Sequence, residues 1–183
     1  MRPIESADHS RVEENRLPGR HGGTWGYGMN AKTLKALDRI KDAINAEYGI
    51  QDGIPAINHG PCGVFAQGFF LAWNARFREK VHISFVMTPS RDECDHVCIR
   101  LPSGELYDGG IGVHADRHYG QQFVMDDMVI YDEGLLDKWS YGLARTYPRF
   151  CPHFNRAVVE SIVEAVLEQL FHDLSGDPEF TTL

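Results

Sequence analysis

Three observations predict an α+β fold for this chain. Apolar residues recur at helical spacing in two long stretches, one after residue 30 and one towards the C-terminal end. Between Val81 and about residue 131, β-branched and aromatic residues fall in short runs separated by turn residues, the pattern of a small antiparallel sheet. Helical and strand segments are also grouped along the chain rather than alternating, which argues against a parallel βαβ sheet.

The chain has 183 residues, a length for one domain with a real core. It is 43% hydrophobic and 24% charged, values that exclude global disorder and fibrous repeats. Its net charge of -8 lacks the basic face of a nucleic-acid binder. Its apolar runs are too short to span a bilayer. A small-molecule or protein substrate fits better than nucleic acid or a membrane. Residues 1–30 are polar and then glycine-rich, read as a flexible arm with Trp25 and Tyr27 as docking points; residues 31–183 are read as one domain. The polar start of the chain gives no apolar signal segment, so a reducing, cytoplasmic setting is expected, with export by another route still compatible. In that setting Cys62, Cys94, Cys98 and Cys151 are expected to be free, catalytic or metal-bound rather than paired in disulfides.

Asn30 is placed to cap a helix whose stripe is Leu34, Leu37, Ile40, Ile44 and Tyr48, with Gly49 as its C-terminal stop. Residues 49–61 read as a loop. A second helix is expected from Cys62 to about Phe77, with Phe65, Phe69, Ala72 and Trp73 on its buried face. Strands are expected at Val81–Thr88, at 95–101 and at 105–110, with irregular chain from Ile111 to Gly120. A further strand is expected near Phe123–Ile130 and a short helix at Glu133–Tyr141. After Pro152 the spacing of Val158, Val159, Ile162, Val166, Leu167, Leu170, Phe171 and Leu174 predicts a long terminal helix ending near Gly176.

The most informative segment is Asn58-His59-Gly60-Pro61-Cys62-Gly63-Val64-Phe65. Proline is tolerated in a first helical turn because its missing N–H costs nothing there. Cys62 then sits where free backbone N–H groups and the positive end of the helix dipole favour an anion. The thiolate is the nucleophilic form of cysteine, and the same N–H groups suit the oxyanion of a tetrahedral intermediate. The alternative is a small buried thiol that only packs.

A nucleophilic cysteine needs a base, commonly a histidine held by a carboxylate. Pro102-Ser103-Gly104 is a hairpin turn, and Leu101 opposite Glu105 places Ile99 opposite Tyr107, Cys98 opposite Asp108 and His96 opposite Gly110. That register puts His96, Cys98 and Asp108 on one face and Val97, Ile99, Leu101 and Tyr107 on the other, which has the makings of a core. A one-residue slip would exchange the faces.

Gly60-Pro61-Cys62-Gly63-Val64-Phe65-Ala66, Asp95-His96-Val97 and Leu106-Tyr107-Asp108-Gly109-Gly110 together resemble the transglutaminase-like branch of the papain-like thiol enzymes. They are also similar to the arylamine N-acetyltransferases. The resemblance covers roughly residues 55–115. It implies a papain-like fold with Cys62 as nucleophile, His96 as general base and acid, and Asp108 as orienter, without a cofactor. It implies acyl transfer through a thioester, as in an amidase, peptidase or deamidase, on a peptide, protein or small amide or ester substrate. Asn58 and Gln51 become candidates for a side-chain oxyanion donor, and His59 for a substrate contact or a competing base. The arginine that the acetyltransferases carry near their cysteine is absent, so that specific activity is not carried over.

A metal reading competes. Cys94-x3-Cys98 and His114-x3-His118 have the residue types of a structural zinc site, which would make the chain a zinc-stabilised binding module with Cys62 as packing. Against it, Cys94 and Cys98 would be roughly 13 Å apart along an extended strand. Asp126-Asp127 and Asp132-Glu133 read as strand-end and helix-start charges, and Asp92-Glu93-Asp95 as a solvated turn.

Overall fold

In the first helix, α1 (Ala31–Tyr48), the Asn30 side chain accepts a hydrogen bond from the Thr33 N–H at 2.8 Å. This is the expected cap, and Gly49 closes the other end at a φ of 74°. A computed structural model describes residues 29–139 and 154–176. The readings of residues 1–28, of Cys151 and of Tyr141 lie outside the described residues. Ala36, Leu37, Ile40 and Ile44 are buried, whereas Leu34, expected in the stripe, is 40% exposed. The buried stripe therefore runs through Thr33 and Ala36 rather than Leu34, a rotation that lets the smaller side chains take the close contacts. We expect Asn30→Ala to cost about 1 kcal/mol, the usual cost of losing a side-chain cap, read as a lower melting temperature with no change in the chemistry of residue 62.

The stretch expected as loop holds a miniature hairpin, β1 (Ile50–Gln51) and β2 (Ile54–Pro55), and a 3₁₀ turn at Ala56–Asn58. The hairpin turns through Asp52 and Gly53, both at positive φ. The second helix, α2 (Cys62–Arg76), begins at the cysteine, immediately after Pro61. It is apolar on most sides because it is covered on most sides: it packs on the sheet and on the terminal helix α4 (Arg156–Ser175). α4 is capped by Asn155, whose side chain accepts from the Ala157 N–H. α1 packs on α4 too, so the three long helices share one core.

Five antiparallel strands complete the domain: β3 (His82–Met87), β4 (Cys94–Arg100), β5 (Leu106–Asp108), β6 (Gly112–His114) and β7 (Val124–Met128), in the order β6-β5-β4-β3-β7. β6 and the 3₁₀ turn Asp116–Tyr119 lie where irregular chain was expected. They form because the Asp108 carboxylate accepts the backbone N–H groups of Gly110 and Ile111 and so folds the chain back beside β5. The β4–β5 register is the expected one, Ile99 opposite Tyr107 and Arg100 opposite Leu106. Its helix-facing side chains Val97, Ile99 and Tyr107 are buried in the main core. The other face buries Val86, Cys98 and Leu106 under Tyr119, Phe123 and Met125.

One irregularity was not expected. Val86 pairs with His96, but Met87 pairs with Cys94, so Asp95 is an extra residue, a β-bulge. Strand alternation breaks there. Cys94 joins the helix-side core while Cys98 lies on the opposite face.

Asp126 pairs with Arg91 and Asp127 with Arg100, while the Asp132 side chain accepts from the Leu135 N–H at the start of α3 (Glu133–Trp139). These acids are structural charges, although Asp126 and Asp127 lie within β7 rather than at its end. No helix among the described residues is long and apolar enough to cross a membrane.

Candidate active site

Three separate stretches of chain bring Cys62, His96 and Asp108 together. Cys62 is the first residue of α2, 7% exposed, with its sulfur 3.9 Å from the Gly60 carbonyl oxygen. Helix geometry leaves the N–H groups of Cys62, Gly63 and Val64 without carbonyl partners inside the helix; the first i−4 bond runs from the Phe65 N–H to Pro61 O. These donors and the helix dipole face the sulfur end of the helix.

His96 lies on β4 beside the bulge and is buried. Its Nε2 is 3.3 Å from Asp108 Oδ2, which leaves the other ring nitrogen, Nδ1, for an interaction with Cys62. Burial alone would strip the imidazole of its proton. The negative charge of Cys62 and hydrogen bonds to Asp108 and Cys62 outweigh that and push its pKa up to about 10. Asp108 and an ionised Cys62 thus both favour the protonated ring.

Asp108 ends β5, 1% exposed. Its Oδ1 accepts three hydrogen bonds, from the N–H groups of Gly110 (2.8 Å) and Ile111 (2.6 Å) and from Asn58 Nδ2 (3.2 Å). Burial opposes the carboxylate's charge. The bond to His96, the charge of His96 and the Ile111 N–H overcome it and hold the pKa down at about 2.

The surroundings leave little freedom. A Cβ on Gly109 would stand 2.7 Å from the Phe65 ring, and one on Gly110 would stand 2.5 Å from Pro55 Cβ. Tyr107, next to Asp108, donates its hydroxyl to the Leu37 carbonyl and ties β5 to α1. Tyr119 covers the imidazole, ring centroids 5.8 Å apart. His114 Nδ1 donates to the Gly112 carbonyl, so its Nε2 is free to accept from the Tyr119 hydroxyl at 3.0 Å. Burial lowers the His114 pKa, consistent with a neutral ring.

The upstream candidates separate. Asn58 joins the site, with its amide nitrogen directed to Asp108. His59 and Gln51 do not: His59 Nε2 is 2.9 Å from the Gln51 carbonyl oxygen, and this contact ties the ring to the small hairpin, away from His96's position as base. The Gln51 side chain is on the exposed hairpin. Cys94, Cys98, His114 and His118 do not converge either. The bulge sends the two cysteines to opposite faces, and His114 is occupied by Gly112 and Tyr119. Among the described residues no group of three or more ligating side chains is placed to hold a metal ion. Burial pushes the Cys94 thiol up to about 12 and the Cys98 thiol well above its ordinary value, so both are kept protonated.

Asn58 as a partner of Asp108, and Tyr119 as a cover for His96, have no signal in residue spacing. The Gly109-Gly110 pair does: two glycines directly after an acid mark a tight turn with close backbone approach. No family model, curated protein or solved structure matches this chain.

Proposed function

We propose that this chain is a papain-like, transglutaminase-like thiol enzyme that cleaves or transfers an acyl group through a thioester on Cys62. The observation that carries the reading is the ordered chain of contacts from the sulfur at a helix start, through the His96 imidazole, to a carboxylate with three further donors. A buried cysteine that only packs needs neither a paired imidazolium nor an anchored acid.

In this reading the Cys62 thiolate adds to the carbonyl carbon of an amide or ester. The developing oxyanion takes hydrogen bonds from N–H groups at the α2 start. His96 gives its Nδ1 proton to the departing amine or alcohol as the C–N or C–O bond breaks, leaving a thioester and a neutral imidazole. Water or an amine then attacks the thioester, His96 takes its proton, and the thiolate–imidazolium pair returns. Asp108 keeps Nε2 oriented and its N–H bonded throughout. Amidase, peptidase and deamidase activities all fit this sequence of steps, and a reducing cytoplasm suits a free catalytic thiol.

Profiling the protein with a panel of acyl electrophiles, followed by mapping of the modified residue, tests the proposal. Fast, stoichiometric modification of Cys62 near neutral pH is expected, with Cys94 and Cys98 untouched. Equal labelling of all four cysteines, or none at Cys62, would overturn it.

A further inference from the structure

Asn58 is four residues upstream of the nucleophile, joined to it by His59-Gly60-Pro61, yet its side chain serves the acid. Its Nδ2 donates to Asp108 Oδ1 at 3.2 Å and lies against Gly110, where a Cβ would come within 2.9 Å of that nitrogen. Its Oδ1 is buried and accepts no hydrogen bond from the described residues. The orientation is nonetheless forced, because the flipped amide would set its oxygen against the carboxylate. A buried carbonyl left unmatched is a standing cost, and an apolar residue would avoid it. Keeping the amide makes sense only for what its nitrogen does to Asp108.

With Asn58, Gly110 and Ile111 all on Oδ1, the carboxylate cannot rotate, and Oδ2 alone is left for the imidazole. We infer that Asn58 is a positioning residue, which couples the segment carrying Cys62 to the orientation of Asp108 and so to the His96 ring. The inference rests on the thiol chemistry proposed above. The effect travels through hydrogen-bond geometry: when Asn58 is removed, Asp108 keeps its two backbone donors but gains freedom about its carboxyl plane, and the bond to Nε2 loosens. Other groups that face His96 stay in place, namely Cys62 from α2, Cys98 on its own strand, and Tyr119 with His114 from the covering segment.

The test is the rate of Cys62 alkylation by iodoacetamide as a function of pH, in the wild type, in Asn58→Ala and in Asn45→Ala. Asn45 is the control for structure alone: its Nδ2 donates to the Gly110 carbonyl at 2.8 Å and supports the same turn without touching the carboxylate. Asn58→Ala is expected to lower the rate at pH 7 by about tenfold, the lower end for loss of an outer-shell partner. It is also expected to move the rising limb of the profile to higher pH. Asn45→Ala is expected to lower the melting temperature and leave that limb where it is. A profile for Asn58→Ala that superimposes on the wild type, or a limb that moves equally in Asn45→Ala, overturns the inference. If Asn58→Ala does not fold, Asn58→Leu, which keeps the volume but has no donor, is measured instead, with the same two outcomes. A wild-type Cys62 no faster than an ordinary thiol would instead defeat the proposed chemistry itself, so the two failures are distinct.

Discussion

Asp108→Ala is expected to cost about 3–5 kcal/mol, the range for removing one partner of a buried ion pair, and to lower the melting temperature by roughly 6–20 °C for a chain of this size. The substitution strips the buried imidazolium of its counter-charge and leaves the N–H groups of Gly110 and Ile111 and the Asn58 amide without their common acceptor. The turn that returns the chain from β5 to β6 is built on those bonds, so the loss reaches the sheet edge as well as the site. The pH dependence of stability gives a second signature. His96 has a pKa raised to about 10, so its contribution is complete below its ordinary value of 6.5 and fades as pH rises through about 10. Asp108 has a pKa lowered to about 2, so its contribution is complete above its ordinary value of 3.8 and fades as pH falls through about 2. Thermal melts of the wild type should therefore be most favourable between about pH 4 and 6.5 as far as this pair decides, and Asp108→Ala should flatten both flanks. Combining Asp108→Ala with His96→Ala should cost less than the sum of the two, because the double variant leaves no unpaired charge. Simple additivity would mean that the two side chains do not interact.

His96→Ala carries the largest expected effect on chemistry. Loss of a positioned acid–base group costs about 10²–10⁴-fold in turnover. Alkylation isolates the first part of that loss, since iodoacetamide needs the thiolate but no proton donor for its leaving group. An ordinary cysteine is only a few per cent thiolate at pH 7, and without the imidazole Cys62 has no neighbour to hold its proton. The rate at neutral pH should drop about tenfold or more, the lower thiolate fraction being partly offset by the higher nucleophilicity of a more basic sulfur. The gap between variant and wild type should narrow as pH rises and hydroxide removes the thiol proton in both. An unchanged rate in His96→Ala at pH 7 would show that the ring has no hold on the sulfur.

Much of this arrangement was legible in local pattern. Asn30, Gly49 and the Pro61-Cys62 junction mark helix ends by backbone chemistry that tertiary packing does not override. The Pro102-Ser103-Gly104 turn sets the β4–β5 register, and the apolar run Val97, Ile99, Leu101 and Tyr107 leaves one acceptable face for the core. His96 and Asp108 follow from those two constraints. What was not legible depends on neighbours distant in sequence. The β-bulge at Asp95 lies where β4 pairs with β3, its register shifting between Val86 and Met87, and no residue type announces it. The expected burial of Leu34 failed because the stripe predicted its neighbours' spacing but not the turn of the helix about its axis. The strand at Gly112–His114 was hidden by its glycines, and formed because a carboxylate from the preceding strand supplies the turn.

The extra residue in β4 also sets what length changes the family of sequences compatible with this fold can absorb. Deleting Asp95 would restore regular alternation with Cys94 still opposite Met87 on the helix side, whereas deleting a residue between His96 and Arg100 would exchange the faces of His96 and of the strand before it. Additions at the Ser103 tip leave those relations untouched. Insertions and deletions should therefore accumulate at the bulge and at the Ser103 tip and be purged from the stretch of β4 between them, even though all three lie on one hairpin.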